Sequence, residues 1–173
     1  MSRLSKTLFV IGFMGAGKTS VSAALSRRLG VAGVEMDART AAREGMPVTE
    51  IFARKGEPHF RACETALLRE LGASSPCVVS CGGGVPLREE IARIMRGCGQ
   101  VLLLTASPEV LLSRVESSTA RPLLNGHMNV PYIAALMEAR RPKYQAAATL
   151  TVDTSALSVE GVCDRILKQL DLL

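Results

Sequence analysis

The stretch that most restricts this chain is TLFVIGFMGAGKT, residues 7 to 19. An apolar run rich in β-branched and aromatic residues reads as a buried strand, and it stops at Gly12. Gly15 and Gly17 follow, then Lys18 and Thr19. Glycines this dense would break a helix and weaken a strand, and each loses more conformational freedom on folding than any other residue type. Something must offset that cost, and a bound ligand is the natural candidate.

Gly12 to Thr19, GFMGAGKT, fits G-x(4)-G-K-[ST], the phosphate-binding P-loop. The flanks agree: a strand precedes it, and KTSVSAALSRRL, residues 18 to 29, reads as a helix ending at Gly30. Inward-facing loop N–H groups and the positive end of that helix suit a triphosphate. Lys18 would place a cation on the β- and γ-phosphates, and Thr19 a hydroxyl on Mg²⁺. The nucleotide set expected here is Gly15, Ala16, Gly17, Lys18, Thr19 and Ser20. An ordinary glycine turn is the alternative, and both flanks count against it. The motif leaves the phosphate acceptor open.

The remainder of the chain reads as alternating apolar strands and helices. Strands are predicted at 33–36, 77–81, 101–105 and 150–154. Helices are predicted at 38–44, 48–54, 57–71, 87–96, 108–117 with Ser107 as its N-cap, 132–147 and 158–171. On EPHFRACETALLREL, residues 57 to 71, an apolar stripe gathers Phe60, Cys63, Leu67, Leu68 and Leu71, with Glu57, Arg61 and Glu64 off it. Residues 119 to 131, TARPLLNGHMNVP, lack periodicity and read as a mobile loop. The alternation implies an α/β fold with a mainly parallel sheet covered on both faces. No repeat or linker interrupts the 173 residues, so one domain is expected.

Composition narrows the partners. The charge of +5 favours anions, but the basic residues are scattered, which points to small anions in a pocket. Aromatics are 3% of the chain, poor material for stacking nucleic-acid bases. The five cysteines form no CxxC pair, and no histidine stands at a zinc spacing. They read as buried reduced thiols of a cytoplasmic protein. The apolar residues at 8–13 are too few for a signal peptide, and no run approaches the ~18 residues a membrane span needs.

Ligands of parallel sheets sit beyond the carboxyl ends of the strands. Glu35 and Asp37 follow the expected second strand; on an extended segment their i, i+2 spacing points both to one side. One could assist a metal and the other take a hydroxyl proton, or the pair could be a solvated strand end. Gly82, Gly83 and Gly84 follow CVVSC and suggest a backbone that something approaches closely, or else a bulge. Arg61 alone reads as a surface partner of Glu57 or Glu64. Arg121 lies in the presumed loop and Arg140 near a helix end; arginine in a closing loop can neutralise a transferring phosphoryl, though a solvated surface site is the commoner fate.

Taken in order, GFMGAGKT at 12–19, EMD at 35–37, GEPHFRACE at 56–64, GGG at 82–84, RPLL at 121–124 and RRPKY at 140–144 resemble the shikimate kinase family. The resemblance implies a three-layer α/β/α P-loop kinase fold, with a five-stranded parallel sheet, a substrate-binding region about 35–64 and a lid about 119–131. It implies transfer of the γ-phosphoryl of ATP to the 3-hydroxyl of shikimate, with Mg²⁺, by a cytoplasmic monomer that needs neither nucleic acid nor membrane. By resemblance, Asp37 holds acceptor hydroxyls and acts as base. Arg61, Arg140 and Gly82–Gly84 seat shikimate. Arg121 reaches the phosphoryl, Arg114 lies near the adenine, and Ser80 near the metal. The family has Asp-x-Asp where this chain has Glu35-Met36-Asp37, and Glu35 keeps the charge on a stem one methylene longer. Asn125 and His127 acquire no role. Rival readings are a kinase of the same fold for another hydroxy acid such as gluconate, and a nucleotide-binding module with weak catalysis.

Overall fold

The computed structural model of the chain describes residues 4–116 and 129–172. Five strands form one parallel sheet: β1 (Thr7–Gly12), β2 (Gly33–Glu35), β3 (Val78–Ser80), β4 (Gly99–Thr105) and β5 (Leu150–Asp153), in the order β2-β3-β1-β4-β5. Thr7 to Gly12 are all buried, as expected of a central strand covered on both faces. Phe9, Val10 and Ile11 have no solvent exposure; burying each such side chain contributes roughly 1.5–3 kcal/mol.

Among the described residues, eight α-helices accompany the strands: α1 (Lys18–Leu29), α2 (Met36–Glu44), α3 (Val48–Lys55), α4 (Glu57–Ala73), α5 (Glu89–Cys98), α6 (Pro108–Glu116), α7 (Val130–Ala147) and α8 (Val159–Gln169). Helix α1 packs on β1, β3 and α8, while α5 packs on β4 and α7. The P-loop leaves the carboxyl end of β1, between the ends of β3 and β4. Helix α1 stops where expected, because Gly30 takes a left-handed φ of 63° and returns its N–H to Arg27 and Ser26 carbonyls.

Several boundaries differ from expectation. The second strand ends at Glu35, and Met36 and Asp37 already belong to α2. Strand β2 has only three partners on β3, and Met36 is fully buried, so the chain turns into helix there. Asp37 thus reaches the cleft from a helical first turn and not from an extended segment. Residues 85–87 form a separate 3₁₀ turn, and α5 starts at Glu89. Helix α7 begins at Val130, capped by Asn129, whose side chain accepts from the Tyr132 N–H at 2.9 Å; the expected loop over 119–131 therefore ends earlier. Its remainder, with Arg121, Asn125 and His127, lies outside the described residues. Cys63 and Cys98 are half-buried, unlike Cys77, Cys81 and Cys163. Glu64, expected off the apolar stripe of α4, is 1% exposed.

Candidate active site

The P-loop is shaped by contacts that glycine alone permits. Gly15 has φ 81°, and a β-carbon there would lie 2.9 Å from Val115 Cγ1. Gly17, φ 96°, leads straight into α1, whose first residues Lys18, Thr19 and Ser20 face the cleft. Lys18 Nζ donates to the Gly12 and Phe13 carbonyls at 2.8 and 3.1 Å. A cation of long reach thus closes over the loop where phosphate oxygens would compete for it.

Two residues hold the loop from outside. Arg114 donates to the Gly15 carbonyl at 3.1 Å and to Thr154 at 3.0 Å through both hydroxyl and carbonyl. Thr154 Oγ1 lies 3.2 Å from the Ala16 carbonyl and 3.1 Å from that of Thr105. Thr154 is buried just beyond β5, and sequence reasoning missed it. A threonine after a short strand has no local signature; only the sheet order brings it to residue 16.

Next to the P-loop stand oxygen ligands suited to a hard cation. Thr19 Oγ1 donates to Glu35 Oε2 at 3.0 Å, and Glu35 is in register with Ser80 across β2 and β3. The Ser80 hydroxyl is buried without a hydrogen-bond partner. An orphaned hydroxyl and a carboxylate beside the P-loop threonine fit Mg²⁺, which takes oxygen ligands and keeps several waters.

The Gly82–Gly84 segment lies across the same cleft, which encloses about 1100 Å³. A β-carbon on each glycine would meet a different candidate acceptor residue. On Gly82 it would stand 3.1 Å from Asp37 Oδ1, and on Gly83, 3.8 Å from an Arg140 guanidinium nitrogen. On Gly84 it would stand 2.8 Å from both terminal nitrogens of Arg61. Gly83 and Gly84 form a turn, closed by the Val85 N–H on the Gly82 carbonyl at 3.1 Å, and Asp37, Arg61 and Arg140 converge over this floor.

These side chains are held by neighbours. Arg61 donates to Glu64 at 2.8 Å and to Glu57 at 3.1 Å, and lies over the Phe60 ring at 5.4 Å. Glu64 also takes a bond from Arg88 at 3.2 Å. Burial pushes the Glu64 carboxyl up, while Arg61 and Arg88 pull it down. Arg140 lies 5.5 Å from the Phe13 ring centre and 3.5 Å from Tyr144 Oη, which donates to the Gly83 carbonyl at 2.8 Å. Burial raises the Tyr144 phenol, so it remains a donor at neutral pH.

The geometry thus brings Lys18, Thr19, Glu35, Asp37, Arg61, Ser80, Gly82–Gly84, Arg114 and Arg140 to one cleft. The shikimate kinase family profile matches residues 14–171. A shikimate kinase from Geobacter metallireducens is 42% identical over 161 residues, covering 93% of this chain and 89% of that protein. One from Dehalococcoides mccartyi is 40% identical over 95% of this chain and 93% of its own length. Among solved structures, shikimate kinase from Acinetobacter baumannii in complex with shikimate superposes with a TM-score of 0.88 at 28% identity, covering 98% and 94% of the two chains. The chain therefore belongs to the shikimate kinase family and is an ATP-dependent phosphotransferase.

Proposed function

We propose that this chain transfers the γ-phosphoryl of ATP to the 3-hydroxyl of shikimate. The observation that carries the reading is the glycine floor: Asp37, Arg61 and Arg140 each overhang one glycine of the triplet, opposite the P-loop. Two guanidiniums and one carboxylate complement a ligand with one carboxylate and adjacent hydroxyls. Arginine meets a carboxylate with two parallel hydrogen bonds, which a lysine cannot supply.

The roles follow from positions. Lys18 exchanges the Gly12 and Phe13 carbonyls for phosphate oxygens when ATP enters. Asp37 accepts hydrogen bonds from the acceptor hydroxyls and takes the proton of the attacking one as the phosphoryl transfers and ADP departs. Arg61 and Arg140 fix the carboxylate, and Glu64 holds Arg61 in place. Thr19 and Glu35, with Ser80 beside them, would hold Mg²⁺, which when bound neutralises charge on the β- and γ-phosphates. Arg121, outside the described residues, is proposed to reach the transferring group from a lid that precedes α7 and excludes water. The acceptor region is proposed to span about 35–64 of a single domain.

We also propose a cytoplasmic monomer. The free cysteines support the cytoplasmic part of this reading, and among the described residues no helix is long and apolar enough to cross a membrane; the monomer is carried only by the family resemblance.

The test is ADP release by purified chain with Mg²⁺ and ATP, with and without shikimate, beside gluconate. The reading expects turnover that depends on shikimate, and a kcat/KM for gluconate lower by several orders of magnitude. Equal turnover with gluconate, or none with shikimate, would overturn it.

A further inference from the structure

Glu44 ends α2, and His59 and Cys63 sit one turn apart on α4. Neither spacing reads as a metal motif in the sequence, because the third donor is fifteen residues away from His59 on another helix. In the fold, one donor atom from each of the three lies within 4.8 Å of the others. We propose that Glu44, His59 and Cys63 bind a divalent d-block cation of the Zn²⁺ class, on the side of α4 turned away from the substrate cleft.

The distances match the ion. Cys63 Sγ is 3.5 Å from His59 Nε2 and 3.5 Å from Glu44 Oε1. Zinc bonds of ~2.3 Å to sulfur and ~2.0–2.1 Å to nitrogen or oxygen give tetrahedral S···N and S···O edges of ~3.5 Å. Glu44 Oε2 and His59 Nε2 are 2.8 Å apart, a hydrogen bond in the metal-free protein. Binding through Oε1, the oxygen next to the thiol, replaces this Oε2 contact, because a tetrahedral N···O edge is ~3.3 Å. On binding, the Cys63 thiol gives its proton to bulk water and His59 offers Nε2 unprotonated, with water as fourth ligand. Lys55 Nζ, 2.6 Å from Glu44 Oε2, is an exposed side chain that swings to solvent as the cation replaces its charge.

The donors also discriminate. Thiolate and imidazole select d-block ions, whereas Mg²⁺ and Ca²⁺ take oxygen ligands. The site is thus chemically separate from the Thr19 and Glu35 oxygens. Arg61 is two residues from both His59 and Cys63, which at ~100° per residue sets it on the opposite side of α4. A cation here would staple the end of α2, whose first turn carries Asp37, to the helix that carries Arg61. The binding claim itself is independent of the acceptor assignment.

The experiment titrates Co²⁺, then Zn²⁺, into the metal-free full chain without nucleotide. Expected are one equivalent bound, a thiolate-to-cobalt charge-transfer band with tetrahedral d–d absorption that Zn²⁺ bleaches, and a melting temperature raised by Zn²⁺. Cys63→Ser should abolish the charge-transfer band, and His59→Gln should weaken Zn²⁺ binding at least ~tenfold, both retaining ATP binding as a measure of folding. Cys98→Ser, a half-buried cysteine elsewhere, should change neither. If Cys63→Ser fails to fold, His59→Gln alone decides by the affinity loss. No band and no melting shift at a hundredfold excess of metal, or a band that survives Cys63→Ser, would overturn the proposal.

Discussion

Gly84 shows how much a single missing methyl group contributes. A β-carbon there would stand 2.8 Å from two Arg61 nitrogens, closer than real contacts allow, and Arg61 is itself held by Glu64 and Glu57. Gly84→Ala should therefore displace the guanidinium, raising the KM for shikimate about tenfold or more while leaving the KM for ATP within about twofold, as steady-state kinetics would read. Lys18→Met should lower kcat by about 10²–10³ with the fold intact, because the ammonium acts on charge that develops in transfer. Glu64 explains why some residues of the site escape a reading of the chain alone. Its position matches the buried face of α4 with Phe60, Leu67 and Leu71, yet a carboxylate is placed outside by default. What permits its burial is Arg61, one turn earlier, together with Arg88, 24 residues further on, and no local pattern announces the second pairing.

At the scale of elements, the P-loop flanks were legible to the residue because glycine and the helix it opens encode their own boundaries. Short strands were not. β2 and β3 have three residues each, and pairing across the sheet decides where they stop, not propensity. Thr154 ties the end of β5 to the P-loop, so Thr154→Val should leave the Ala16 and Thr105 contacts unmade and keep only the carbonyl half of the Arg114 contact. We expect a loss of about 1–3 kcal/mol in stability by denaturant titration, together with weaker ATP binding. Asp153, one residue earlier, accepts the Ser155 N–H at 2.7 Å, and that bond holds its carboxyl below its ordinary value of 3.8. A depressed folded-state value gives stability that is present above pH 3.8 and lost as pH falls below it. The difference in melting temperature between the native chain and Asp153→Ala should therefore be largest near neutrality and shrink below that pH. In β4, Leu102 is fully buried, and Leu102→Ala should cost about 2–5 kcal/mol by the same denaturant measurement.

Across the whole molecule, the sheet order brings together segments that are far apart in the chain. Strand β1 delivers the P-loop, β2 leads into Glu35 and Asp37, and β3 delivers Ser80 and the glycine floor. Helices α4 and α7 bring Arg61 and Arg140 over that floor from opposite halves of the sequence. The central claim is that these two arginines seat the acceptor carboxylate while the P-loop independently holds ATP. Its most direct test is the pair of KM values, for shikimate and for ATP, in Arg61→Lys and Arg140→Lys, each of which keeps the charge but loses the two-pronged geometry. The account predicts that kcat/KM for shikimate falls about 30- to 160-fold in each, as expected for ~2–3 kcal/mol of charge-assisted bonding, with the KM for ATP nearly unchanged. Lysine variants that bind shikimate as well as the native chain, or that lose ATP affinity to the same extent, would contradict it.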